Sequence, residues 1–183
     1  MRILGMLKAD AASEAGAPPS AELMQRWAEM AAFTPVMRTH EGNRPRENLQ
    51  IDTDAIVLAH FARMTRIYCS LAPYVRTLSA EAASRGTPVQ RPLFLHFEAD
   101  PQSYAVQDQY LYGPDLLVAP VHAAGATQWS VYLPAGATWT HWWTGMSYSG
   151  GERVQVPAPL GSPPVFTRAQ SPFTALFEAT ARL

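Results

Sequence analysis

The sequence predicts an α+β composite, a helical N-terminal part followed by an all-β sandwich, and three observations carry that prediction. Residues 57–78 repeat apolar side chains at spacings of four and three, the period of one helix face. From Pro88 onward, short apolar or β-favouring runs alternate with turn residues, the pattern of a β-sandwich. Ahead of both, Trp27 to Pro45 passes from a helix through an apolar run, Phe33–Met37, into a polar cluster closed by Gly42 and Pro45. An apolar strand that ends in charged residues and a Gly/Pro turn is how the rim of an α/β barrel reads, where loops after the strands carry chemistry. A solvated turn between helix and strand fits the same spacing, because charged residues mostly face water.

Taken in order, residues 1–19 have no periodic apolar face, and Ala9 to Pro19 is small, Ala-rich and Pro-terminated, so this part reads as a mobile entry segment. Ser20 is placed to cap a helix in which Leu23, Trp27 and Met30, at i, i+4 and i+7, form one buried stripe. Pro35 stops that helix, since it lacks an N–H and clashes with the preceding turn. Asp52, Thr53 and Asp54 are N-cap candidates for the longest helix, whose seam is Val57, Phe61, Met64, Tyr68, Leu71, Val75 and Leu78. Pro73 sits inside that seam, which leaves one kinked helix or two helices meeting near Leu71. Gly86 is the C-terminal stop and the expected boundary between a helical unit, 20–86, and a sandwich, 87–183.

Strands are expected near Gln90–Phe97, Leu111–Val121 (divided at Gly113-Pro114), Gln128–Leu133, Thr138–Trp143, Arg153–Val156, Val165–Arg168 and Phe173–Phe177. Thr144-Gly145 and Ser149-Gly150-Gly151 mark hairpin-like turns. Trp129, Trp139, Trp142 and Trp143 suggest either a sugar-stacking platform or packing between sheets; packing is the stronger reading, because tryptophan buries a large area.

Composition narrows the function. With 183 residues the chain is shorter than a complete enzyme barrel of about 250. Its net charge of −1 supplies no field to draw it to nucleic acid or an anionic membrane. No apolar run approaches the roughly 20 residues of a membrane span, and the first residues lack a sustained apolar core of a signal peptide, so the cytoplasm is the expected compartment. Cys69 is alone, which fits a reducing compartment. His40, His60, His96, His122 and His141 lack metal-ligand spacing, and no phosphate loop or nucleophile elbow is present, so no metal or other cofactor is expected.

Several stretches together resemble one family. Arg26-Trp27, Phe33, Pro35 and Arg38-x-His40 resemble the segment around the last barrel strand of glycoside hydrolase family 31, the α-glucosidase family. Tyr74 with Gly86–Leu93, Gln109–Val121, Tyr132-Leu-Pro-x-Gly136, Trp143-Thr-Gly145 and Pro164-Val-Phe-x-Arg168 follow in the family's order. Within the family, His40-Glu-Gly-Asn-Arg-Pro45 is most similar to the sulfoquinovosidase branch, which cleaves sulfonated α-glucosides. The resemblance implies the last β/α units of a (β/α)8 TIM barrel followed by the C-terminal sandwich of a retaining α-glycosidase.

Such an enzyme needs two carboxyl groups about 5–5.5 Å apart. The family draws both from segments that precede the matched region, so no catalytic residue is expected here and the chain alone is expected to be inactive. What the resemblance leaves in this sequence is a substrate-binding set: His40, donating to a hydroxyl of the sugar, and Arg38, orienting a carboxylate through paired hydrogen bonds. Glu41, Asn43 and Arg44 are candidates for the same pocket; for Arg44 both a sulfonate contact and a loop-bracing role are open, bracing the stronger. The implied partners are an α-glucoside or sulfoquinovoside and an N-terminal part of the same enzyme. The competing readings are a stand-alone sandwich that binds carbohydrate or a partner without catalysis, and a gene remnant.

Overall fold

The computed structural model describes residues 20–39, 46–52 and 54–183. Among the described residues, three long helices come first. α1 spans Ala21–Ala31, α2 Ala55–Ser70 and α3 Ala72–Arg85. Ser20 Oγ accepts from Leu23 N at 3.1 Å, and Asp54 Oδ1 accepts from Ile56 N and Val57 N at 2.7 and 3.0 Å, so both expected caps form. Thr53 lies outside the described residues. α2 and α3 are separate helices sharing Leu71 as cap, with Pro73 in the first turn of α3, where its missing N–H costs nothing. Gly86 ends α3 with φ +71°, the left-handed conformation glycine enters freely.

The strands are β1 Gln90–Arg91, β2 Tyr110–Tyr112, β3 Leu116–Val118, β4 Gln128–Leu133, β5 Thr138–His141, β6 Ser147–Ser149, β7 Glu152–Pro157 and β8 Val165–Arg168. They form a six-stranded antiparallel sheet, β1-β2-β3-β8-β5-β6, and a two-stranded antiparallel pair, β4-β7. A one-turn α4, Gln102–Ala105, precedes β2, and α5, Thr174–Ala181, closes the chain.

Strand alternation sends successive side chains to opposite faces, and the large sheet uses both. Tyr110, Tyr112, Leu116, Val118 and Val165 pack against Met64, Ile67, Leu71 and Tyr74 of the helical layer. Leu111, Leu117, Trp139 and Phe166 face the small sheet and meet Val131, Leu133 and Val156. This is a helix layer, a central sheet and a covering pair, which explains why β2 and β3 are buried along their whole length.

Several expectations are corrected. The Leu23/Trp27/Met30 stripe is not the buried face of α1: Trp27 is 43% exposed, whereas Gln25, Arg26, Ala28 and Glu29 are buried. The helix turns its small and charged side inward because backbone groups of two loops wait there for Arg26 and Glu29. The strand expected over Gln90–Phe97 stops at Arg91, because Pro92 lacks a ladder N–H, and a 3-10 turn, Leu93–Leu95, follows; His96 thus caps a turn instead of sitting in a strand. The strand expected over Phe173–Phe177 is the start of α5. Those two rings lie four residues apart, which places them on one helix face, and the Ala-containing segment after them favours the helix. β6 was not expected: its Ser-Tyr-Ser sequence carries only one apolar-bodied residue.

Candidate functional site

α1 leads directly into the segment that carries the sequence candidates. After its last turn, Phe33 N and Thr34 N donate to Met30 O and Ala31 O at 3.1 and 3.2 Å. Pro35 cannot donate, and the chain leaves the helix as a bend followed by an irregular run, 36–39. Phe33 is fully buried with its ring edge-on to Trp142, 5.7 Å between centroids. Thr34 Oγ1 donates within 2.8 Å of both Ala31 O and Val36 O, bracing the bend from inside.

Three tyrosine hydroxyls close on this bend from outside. Tyr110 Oη donates to Phe33 O at 3.0 Å, Tyr112 Oη to Thr34 O at 3.0 Å and Tyr68 Oη to Pro35 O at 2.9 Å. Burial pushes the Tyr110 and Tyr112 hydroxyls far above the usual phenol range, so both keep the proton they donate. Tyr112 is itself held, because Tyr74 Oη donates to its carbonyl at 2.8 Å and accepts from Asp115 N at 3.2 Å.

Beyond the bend, Val36 and Arg38 are exposed, and among the described residues no carboxylate lies in ion-pair range of Arg38. His40, Glu41, Asn43 and Arg44 lie outside the described residues. Of the five substrate-binding candidates, the structure therefore places Arg38 alone, at the open end of a segment fixed at its base.

A second polar cluster, outside the expected substrate-binding set, sits where α1 and α2 meet two loops of the sandwich. Arg26 donates to Glu29 Oε2 at 3.0 Å, to Ala126 O at 2.7 Å and to Ala158 O at 2.9 Å. Glu29 Oε1 accepts from Gly161 N and lies 3.6 Å from His60 Nε2, which donates to Gln25 O at 3.1 Å; Arg63 donates to Gly161 O. Burial raises the Glu29 carboxyl above its usual range, partly offset by Gly161 N and Arg26, and burial lowers His60. A third knot, fully buried Arg91, donates to Pro88 O at 2.7 Å and Glu81 Oε2 at 2.6 Å and meets His96 Nε2 at 2.8 Å. A buried charge is indistinguishable in sequence from a solvated one, and Arg26 was visible only as part of the motif Arg26-Trp27.

The described residues hold no group of three or more His, Cys, Asp or Glu side chains placed to bind a metal ion, and no described helix is long and apolar enough to cross a membrane. The tryptophans pack: Trp139 is fully buried between the sheets, Trp142 lies in the helix-side core, and Trp143 Nε1 donates to Pro163 O at 2.6 Å.

Comparison with known proteins agrees with the order of these parts. Residues 5–78 match the TIM-barrel domain of glycosyl hydrolases family 31, and residues 86–171 match the glycosyl hydrolase family 31 C-terminal domain. A sulfoquinovosidase of Agrobacterium fabrum is 66% identical over 159 residues, covering 87% of this chain and 24% of that protein. A sulfoquinovosidase of Escherichia coli K12 is 54% identical over 158 residues, 86% of this chain and 23% of that one. In structure, a family 31 sulfoquinovosidase from E. rectale, solved with the aza-sugar inhibitor IFGSQ, superposes with a TM-score of 0.88 at 48% identity, over 91% of this chain and 25% of that one. The chain thus spans about a quarter of the length of these relatives. Two domain models of one family, matched end to end and in order, and relatives of that family at high identity, identify the chain as a member of glycosyl hydrolase family 31.

Proposed function

We propose that this chain supplies the sugar-binding end of a retaining α-glycosidase acting on sulfoquinovosides, and that it does so without either catalytic carboxylate. The observation that carries the reading is Arg38, exposed at the end of a segment whose base is fixed from two sides, in a chain 66% identical to a sulfoquinovosidase. Residues 20–86 are the barrel-derived part and 87–183 the sandwich. In sequence, Arg38 is followed at once by His40, Glu41, Asn43 and Arg44, which complete the sugar-contacting set. His40 donates to a sugar hydroxyl, a contact that discriminates because its loss strands a buried donor.

The purified chain tests this directly. Sulfoquinovose added to isotope-labelled protein is expected to perturb the resonances of residues 36–46, and His40→Ala or Arg38→Ala is expected to weaken binding about tenfold, or about 1.4 kcal/mol. A chromogenic α-sulfoquinovoside is expected to be hydrolysed no faster than in buffer. Turnover that a single Asp or Glu substitution abolishes would place the nucleophile in this chain and overturn the division of roles.

A further inference from the structure

The sandwich sheet reaches into the site segment through its side chains. We propose that Tyr110 and Tyr112 of β2, with Tyr68 of α2, are positioning residues that set the direction of residues 36–39, and with them Arg38, by holding the carbonyls of Phe33, Thr34 and Pro35. The inference rests on the reading that residues 38–44 contact the sugar, and it deepens that reading by giving the sandwich a part in recognition.

Three successive carbonyls in a bend cannot all be taken by one neighbouring strand, because consecutive carbonyls point in different directions. No described strand pairs with this bend, so its acceptors need donors from elsewhere. The tyrosines deliver them from two sides, the sheet and α2, at 3.0, 3.0 and 2.9 Å. Each is a rigid side chain with two torsions. The rings of Tyr110 and Tyr112 are fully buried, and Tyr112 is fixed again by an edge contact to Tyr74 at 6.1 Å and by the Tyr74 hydroxyl on its own carbonyl.

Phenylalanine at 110 and 112 would fill the same core, and burying two hydroxyls is costly unless each is bonded. Their role is then to fix the bend. Arg38 follows Pro35 by three residues, about 10 Å of extended chain, so a small rotation at the bend is amplified at the guanidinium. A hydrogen bond from that guanidinium to a bound sugar weakens steeply as its distance and angle depart from the optimum.

The test uses the full 183-residue chain with Tyr110→Phe, Tyr112→Phe and both together. Tyr104→Phe is the control, since that hydroxyl also donates to a backbone carbonyl, Glu98 O at 3.2 Å, on another surface. Amide exchange is read by peptide, and sulfoquinovose affinity by titration. In the double variant, exchange of the Phe33 and Thr34 amides, which donate to Met30 O and Ala31 O in the bend, is expected to rise about tenfold and sulfoquinovose to bind about tenfold more weakly, with exchange in β4 and β7 unchanged. The control should show neither effect. Unchanged exchange at Phe33 and Thr34, or a rise spread evenly over the whole chain, would overturn the proposal, the latter by showing a merely structural role. If the parent chain binds no sulfoquinovose, the reading of residues 38–44 as sugar contacts falls by itself, and the exchange arm still decides whether the tyrosines hold the segment.

Discussion

The two faces of the central sheet are built from the same strands and do different work. The face toward β4 and β7 carries Leu111, Leu117, Trp139 and Phe166; the polar tip among these four, Trp139 Nε1, donates to Pro134 O at 3.1 Å. The face toward the helices carries Tyr110 and Tyr112, whose rings fill the core and whose hydroxyls reach through it to the bend at 33–34. One face holds the fold together. The other holds it together and fixes the base of a segment that ends in Arg38.

If that contrast is right, damage to the two faces should differ in kind. Trp139→Ala should have the largest effect on stability, about 3–5 kcal/mol, because it empties a fully buried site packed on Phe97 at 5.7 Å. Denaturant titration would measure the loss. Below the transition, exchange at Phe33 and Thr34 should stay as in the parent, since none of the hydroxyl contacts to the bend is touched. A selective rise there would erase the distinction between the faces.

Gly113→Ala probes the other face. Gly113 has φ +63°, and a Cβ there would lie 2.1 Å from Tyr74 Oη and 2.6 Å from Leu78 Cδ2. Left-handed strain and overpacking together put the cost at about 2–4 kcal/mol. Tyr74 cannot give way freely, because its hydroxyl spans Tyr112 O and Asp115 N. The prediction is therefore a smaller loss of stability than at Trp139, accompanied by faster exchange at Phe33 and Thr34. Loss without that local signal would cut the link from Tyr74 through Tyr112 to the bend.

Much of this was legible in the sequence, for physical reasons. Ser20 and Asp54 cap helices by local hydrogen bonds that depend only on near neighbours, Gly86 ends a helix through its own backbone freedom, and Gln128–Leu133 and Val165–Arg168 are strands where the β-favouring runs lie. The errors arose where distant parts decide. Leu23, Trp27 and Met30 have ideal spacing, yet which face of α1 turns inward depends on carbonyls some hundred residues away, at Ala126 and Ala158. Phe173 and Phe177 fit a short strand or one helix face equally well, and packing against Tyr74 selects the helix. At the site, Arg38 and its neighbours could be found only as a motif; Tyr68, Tyr110 and Tyr112 were read as core or motif residues because a buried hydroxyl and its target carbonyl leave no pattern in sequence.

The smallest effect concerns the ionic joint, which belongs to neither face of the sheet. The titratable groups that meet there are Arg26 and Glu29 of α1 and His60 and Arg63 of α2; the loops contribute only backbone groups of Ala126, Ala158 and Gly161. Burial lowers His60 from 6.5, so below that pH the unfolded chain binds a proton that the folded chain refuses, and stability falls as pH drops. Burial raises Glu29 from 4.5, which has the opposite sign: the folded chain binds the extra proton, so this contribution fades as pH rises above 4.5. Asp100 stays out of this window. Burial would raise it, but hydrogen bonds from Ala135 N, Tyr132 Oη and Gln102 N outweigh burial and hold it below 3.8, so its loss comes in stronger acid. Between pH 5 and 6.5 a single group changes stability by at most about 1.4 kcal/mol per pH unit. His60→Gln keeps a donor for Gln25 O and should flatten the acid loss by about 0.5 kcal/mol per unit, without abolishing it, because burial depresses His96 and His141 as well. Glu29→Gln should steepen the loss, since the opposing contribution is gone. Denaturant midpoints across that window decide it: two variants that bend the curve in the same direction would mean the joint does not titrate as its burial requires.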